Sequence, residues 1–267
     1  DLIKNVFNFS IPLFVSSICW LLFYEFDNFI IGKTLGINQV AIYSASVVFL
    51  IVTRSVFGII FNPINVNAIY AFKKSVKTGG NYISNSFLFL FLIGIFFCSS
   101  LFLFSEDLIN YVYGNNYYES VQIVDILLFQ FLFYPFFYLA GTVLENFFSS
   151  KKIIVISIFT VTIYYSLIFF NLDSLSLLKL AIFKIVTFFL ISILYFIVLI
   201  NYLNFTKVVS NIFYFFILIF ILTFFIQNLI FSLKFILLLL ITLIYVIFKR
   251  RFFNSIFNNI FKLNFKI

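Results

Sequence analysis

The chain has 267 residues, of which 64% are hydrophobic and only 10% charged, and its mean hydropathy is +1.19. That excludes an ordinary soluble domain, which is near half apolar and a quarter charged. The net charge of +8 does not point to nucleic acid, because the basic residues sit between apolar runs, and the absence of histidine excludes His-dependent catalysis or metal ligation in this segment.

A bilayer core takes about 20 apolar residues as helix. Eight runs meet that need: 6–31, 40–70, 82–104, 121–148, 153–171, 175–201, 211–230 and the shorter 233–248. Connections are short, so the fold class is all-α and polytopic, with no soluble domain. Residues 1–201 read as a six-helix unit, and 202–267 as two further helices with a basic tail. Cys19 and Cys98 lie within apolar runs and read as small buried residues.

The connections alternate in charge. Lys4, Lys73, Lys74, Lys77, Lys151, Lys152, Lys207 and the cluster from Lys249 to Lys266 fall on one side. Lys33, Lys179 and Lys234 fall on the other, with Glu106, Asp107, Glu119 and Asp173. The excess of cations marks the cytoplasmic face, which puts both ends in the cytoplasm. The outer connection SEDLINYVYGNNYYES, residues 105–120, reads as a short amphipathic helix ended by Gly114, since glycine accepts the left-handed backbone of a helix terminus. Pro12, Pro63 and Pro135 fall inside runs, where each removes a backbone donor and can kink its helix. The four N-terminal helices are therefore expected to be the bent, working part.

Depth ranks the intramembrane charges, at 1.5 Å of rise per residue. Asp27 lies ~12 Å outward of the first run's centre, near the edge of a core of ~15 Å half-thickness, with Glu25 slightly deeper. Asp27 shares a helix stripe with Tyr24, Trp20 and Ser17, which could face a water-filled path. Both carboxylates read either as interfacial groups or, Asp27 above all, as gating or ion-coupling residues. Arg54 lies at the midplane of the second run, where insertion costs about 2.5–3.5 kcal/mol. It reads as a structural partner of Asp27 or Glu25, or as a cationic site for an anionic substrate. Gly58, Asn62 and Asn65 continue its face. Lys184 lies ~6 Å outward of the sixth run's centre and reads as a snorkelling cation or as a second substrate-binding charge. Asp125 and Glu145 read as interfacial. Arg matches phosphate with a bidentate fork and Lys acts as a point charge, so two interior cations suit a phosphate-bearing headgroup.

The segment YEFDNFIIGKTLGINQVAIYSASVVFL, residues 24–50, resembles a recurring stretch of bacterial polysaccharide flippases. These belong to the multidrug/oligosaccharidyl-lipid/polysaccharide exporter superfamily. The shared features are Asp27 near a helix end, Gly32 and Gly36 spaced as Gly-x-x-x-Gly, and Tyr43 opening the next helix. FNPINVNAIYAF resembles the proline-bearing end of that helix. YVYGNNYYESVQIVDILL resembles the family's outer loop, with Gly114, Tyr117 and Ser120 in order. The resemblance covers residues 1–152.

It implies one lobe, the second, of a two-lobe transporter, plus two extra helices. The missing N-terminal lobe would be a partner within the same chain, consistent with the lack of a starting methionine at Asp1. It further implies transport of an undecaprenyl-diphosphate-linked oligosaccharide from the inner to the outer leaflet of the bacterial inner membrane. The activity is not enzymatic, and no catalytic residue, metal or cofactor is expected. A cation-coupled multidrug exporter of the same superfamily is the first alternative, although it would favour intramembrane carboxylates over cations. A polysaccharide polymerase or ligase is the second, although its chemistry needs a larger outer loop than the sequence offers.

Overall fold

The computed structural model describes residues 2–147 and 150–199. The helices are α1 (Leu2–Glu25), α2 (Asp27–Thr34), α3 (Ile37–Lys74), α4 (Val76–Tyr113), α5 (Glu119–Leu127), α6 (Gln130–Phe147), α7 (Ser150–Phe169) and α8 (Leu177–Leu199). Among the described residues there is no strand. An all-helical solution is what a bilayer requires, because helices satisfy every backbone N–H and C=O internally.

Five helical stretches are long and apolar enough to span a membrane. A sixth is formed by α1 and α2 taken together, bent by 40°. These six coincide with the first six apolar runs of the sequence. The remaining two runs, and the division at residue 202, lie outside the described residues. Helices α3 and α4, of 38 residues each, outreach the ~20 residues that a bilayer core needs.

Local chemistry sets the turns. Ser75 caps α4 by accepting the Thr78 N–H at 3.1 Å, and Thr78 Oγ1 donates back to the Ala71 carbonyl at 2.7 Å. That closes the α3–α4 hairpin with side chains in place of the orphan helix-end partners. At the opposite end, Gly36 (φ 94°) and Gly114 (φ 78°) hold backbone conformations that side chains disfavour. Of the Gly-x-x-x-Gly pair, only Gly36 is required by its backbone. A Cβ on Gly32 would meet Val40 at an ordinary 3.5 Å.

Two expectations are corrected by the structure. The outer amphipathic segment is no separate helix. It is the last part of α4, which runs unbroken to Tyr113 before Gly114 stops it and a single 3-10 turn follows. Nor do Pro12 and Pro63 mark interruptions. Both sit within unbroken helices, α1 and α3, and the breaks fall at Phe26 and at Leu128–Phe129, of which only the second has a proline, Pro135, close by.

Inserted side chains account for the first break. Tyr165 donates to the Leu22 carbonyl at 2.9 Å and Lys184 to the Tyr24 carbonyl at 3.3 Å. Donors entering the ladder bend a helix. At the second break the bonds tighten to three-residue spacing, Phe131 N–H to Leu128 and Leu132 N–H to Phe129. Pro135 leaves the Phe131 carbonyl without its usual donor, and Gly94 of α4 lets that carbonyl come close. A Cβ on Gly94 would stand 2.3 Å from it.

Helix α6 lies centrally, packed on α4 and α8 and touching α3 and α7. Helix α1 packs mainly on α7, joined by a 2.6 Å bond between Ser16 and Ser157. Small polar contacts of this kind are the usual glue between membrane helices. Ser46 and Ser120 tie α3 to α5 reciprocally, Ser46 to the Ser120 carbonyl and Ser120 to the Ile42 carbonyl. Because α1 leans on α7, space is left between α1, α3 and α6.

Candidate functional site

That space is a cavity of about 680 Å³. Helix α1 contributes Ser17, Trp20, Tyr24 and Glu25, α3 contributes Arg54, and α6 contributes Tyr138 and Gly141. Arg54 sits midway along α3, so the cavity reaches the depth at which the sequence places this cation. Its guanidinium lies over the Tyr24 ring, 4.4 Å from the centroid. Tyr24 is stacked in turn on Trp20, with centroids 5.8 Å apart and planes inclined by 26°. Arg54 forms no ion pair with Asp27 or Glu25 among the described residues. A half-buried guanidinium resting on a neutral ring keeps donor capacity for a ligand.

Glu25 is exposed and lines the same cavity. Beside it is a second hollow of about 20 Å³, room for a single water. Tyr24, Glu25, Arg54 and Tyr134 border both spaces, and Gln130 and Lys184 border the smaller one. Tyr134 is buried, and its hydroxyl lies near Tyr24 without a hydrogen bond of normal length.

Asp27 does not line the cavity. It is 1% exposed and anchors a buried cluster at the start of α2. Lys184 Nζ and the Tyr43 hydroxyl each stand 2.5 Å from Oδ2, and the Tyr164 hydroxyl donates to Oδ1 at 2.7 Å. The lysine head is also ringed by Phe23, Tyr24, Tyr43 and Tyr164 at 5.5–6.0 Å. A carboxylate and an ammonium removed from water need this kind of complete satisfaction to persist. The cluster joins α2, α3, α7 and α8 at the bend of the first span.

The four charges singled out in the sequence therefore divide into two pairs. Arg54 and Glu25 face the cavity, whereas Asp27 and Lys184 neutralise each other and reach a ligand directly only if their pair opens. The stripe of Ser17, Trp20 and Tyr24 does face open space, and Asp27 departs from it because the helix breaks at Phe26. Sequence reasoning missed Tyr164, Tyr134 and Tyr138. Of these, Tyr164 lies in a run whose polar content gives little sign of a buried partner. Asp125, in the last turn of α5, accepts a 2.6 Å bond from Ser105. Among the described residues no group of three or more Cys, Asp or Glu side chains is placed to hold a metal.

Residues 1–122 match the family of polysaccharide biosynthesis proteins. This is consistent with a polysaccharide flippase-type protein and supports a role in polysaccharide biosynthesis or export. No curated protein and no solved structure matches the chain.

Proposed function

We propose that this membrane-embedded protein flips an undecaprenyl-diphosphate-linked oligosaccharide from the inner to the outer leaflet of a bacterial cell membrane. The observation that carries the reading is Arg54: a midplane cation on the wall of a large cavity, supported by a neutral ring and left without a counter-ion among the described residues. A cation at the centre of a span costs about 2.5–3.5 kcal/mol to insert, so such residues mark functional sites by default, and a planar guanidinium matches phosphate oxygens in a fork. The polysaccharide family match over residues 1–122 supplies the chemical context.

In this account Arg54 binds the diphosphate. Lys184 and Asp27 form a latch that holds the bent first span against α7 and α8, and Asp27 gates by losing that partner. Glu25, at the cavity wall, is the carboxylate open to a coupling ion. The described spans form one lobe of a two-lobe transporter, with both chain ends cytoplasmic.

Deleting the gene and quantifying lipid-diphosphate-linked oligosaccharide tests this. The expected outcome is accumulation of completed units inside, with loss of surface glycan. Normal surface glycan without accumulation would reject the reading. A multidrug exporter is the second reading, favoured only by Glu25, a carboxylate exposed to the cavity. Raised drug sensitivity in the deletion strain, with glycan intact, would select it.

A further inference from the structure

We propose that Gln130 and Tyr134 hold a buried water against Lys184, and that through this water and Tyr24 a phosphate bound at Arg54 weakens the Asp27–Lys184 latch. The inference rests on the reading of Arg54 as the phosphate site. It extends that reading to how occupation of the cavity reaches the bent first span.

Its basis is a set of buried groups with hydrogen-bonding capacity to spare. An ammonium has three N–H donors. Among the described residues Lys184 gives one to Asp27 Oδ2 and one to the Tyr24 carbonyl. It also borders the hollow of about 20 Å³ beside Glu25, to which the third is left. Tyr134 borders that hollow from α6, is 2% exposed, and has a hydroxyl without a hydrogen bond of normal length. Gln130, one turn earlier on the same face of α6, borders it too and is 4% exposed. Polar groups buried in this way are costly unless they are bonded. One water that accepts from Lys184 and Tyr134 and donates to the Gln130 side-chain carbonyl satisfies all three. The hollow has the volume and the number of polar partners that a water needs.

The hollow lies between the two charge pairs. Arg54 and Tyr134 border both it and the main cavity, whereas Lys184 belongs to the cluster around Asp27. Tyr24 spans the same gap by a second route. Its ring carries the Arg54 guanidinium, and its carbonyl accepts from Lys184. A phosphate on Arg54 offers the Tyr134 hydroxyl a charged acceptor, which is stronger than a neutral water. The hydroxyl turns from the water to the phosphate, and Arg54 is drawn off the Tyr24 ring towards its ligand. Lys184 then loses part of what holds it beside Asp27. Linked equilibria act reciprocally, so a closed latch must in turn weaken phosphate binding.

That reciprocity is measurable. The full chain in nanodiscs is titrated with farnesyl diphosphate by calorimetry. The latch-free variant Asp27→Asn/Lys184→Met is expected to bind about tenfold tighter than wild type. The same pair of proteins is then compared in three backgrounds, each checked for an unchanged size-exclusion profile. Gln130→Met and Tyr134→Phe each remove one polar holder of the water. Val47→Ile adds a methylene group to the hollow's wall and leaves both holders in place. In each background the tenfold ratio is expected to shrink to about threefold or less, the remainder passing through Tyr24. The ratio cancels any direct effect of a substitution on phosphate binding, so a merely structural Gln130 would leave it at tenfold. Equal or weaker binding by the latch-free variant overturns the coupling and leaves the role of Arg54 standing. No binding of farnesyl diphosphate to either protein overturns both. A tenfold ratio that survives in any of the three backgrounds rejects the water.

Discussion

Replacing Lys184 by methionine removes a charge and little volume from the most closed polar cluster of the structure. Asp27, 1% exposed, would keep the hydroxyls of Tyr43 and Tyr164 and lose its cation. At the observed 2.5 Å, and with an effective dielectric near 20, the direct attraction is roughly 6–7 kcal/mol. Desolvation of both ions offsets much of it. Removing one partner of a buried pair therefore leaves a net loss of about 3–5 kcal/mol.

Asp27→Asn should cost about as much, because it leaves the ammonium among four aromatic rings without its counter-charge. The double variant Asp27→Asn/Lys184→Met strands nothing and should fall only about 0–2 kcal/mol below wild type. The coupling between the two positions is then at least ~4 kcal/mol. Reversible unfolding by sodium dodecyl sulfate in mixed micelles, followed by circular dichroism, measures all four proteins. Additive losses in the double variant would refute the latch.

Gly94→Ala should destabilise by about 1–3 kcal/mol, because its methyl group would collide with the Phe131 backbone carbonyl, which cannot withdraw as a side chain could; the same unfolding assay reads it. Gly36→Ala should cost about 1–3 kcal/mol for forcing a side chain to φ 94°, ψ 168°, with no steric clash involved. Gly141 behaves oppositely. A Cβ there meets nothing within 4 Å, so Gly141→Ala should stabilise by up to about 1 kcal/mol through helix propensity. Gly141→Trp, which fills the cavity, should leave the protein in the membrane at normal level while surface glycan is lost.

Six candidate spans, their order and the place of Arg54 midway along its helix were legible because hydropathy and a fixed rise per residue are all that they need. The charge pairing was misread, with Arg54 offered as the partner of Asp27 or Glu25 in place of Lys184. Asp27 and Lys184 both lie on the outward side of their spans, so depth alone makes them better partners than Asp27 and Arg54, yet no single-helix pattern brings α2 to α8. Tyr43 stood in the segment with Asp27, and the fold turns that spacing into a hydrogen bond across the α2–α3 turn. The break at Phe26 had no proline to announce it. It depends on Tyr165 and Lys184, donors from helices far along the chain, and it is what turns Asp27 away from the stripe of Trp20 and Tyr24. The cavity is likewise a product of packing, since α1 settles on α7 and leaves α3 and α6 facing open space.

The central claim is that Arg54 holds the phosphate-linked headgroup during transport. Its most direct test is the amount of completed lipid-diphosphate-linked oligosaccharide, and of surface glycan, in cells whose own gene carries Arg54→Ala or Arg54→Lys at unchanged protein level in the membrane. The account predicts accumulation with loss of surface glycan for Arg54→Ala, and partial export for Arg54→Lys, which keeps the charge and loses the fork. Wild-type export by Arg54→Ala would contradict it.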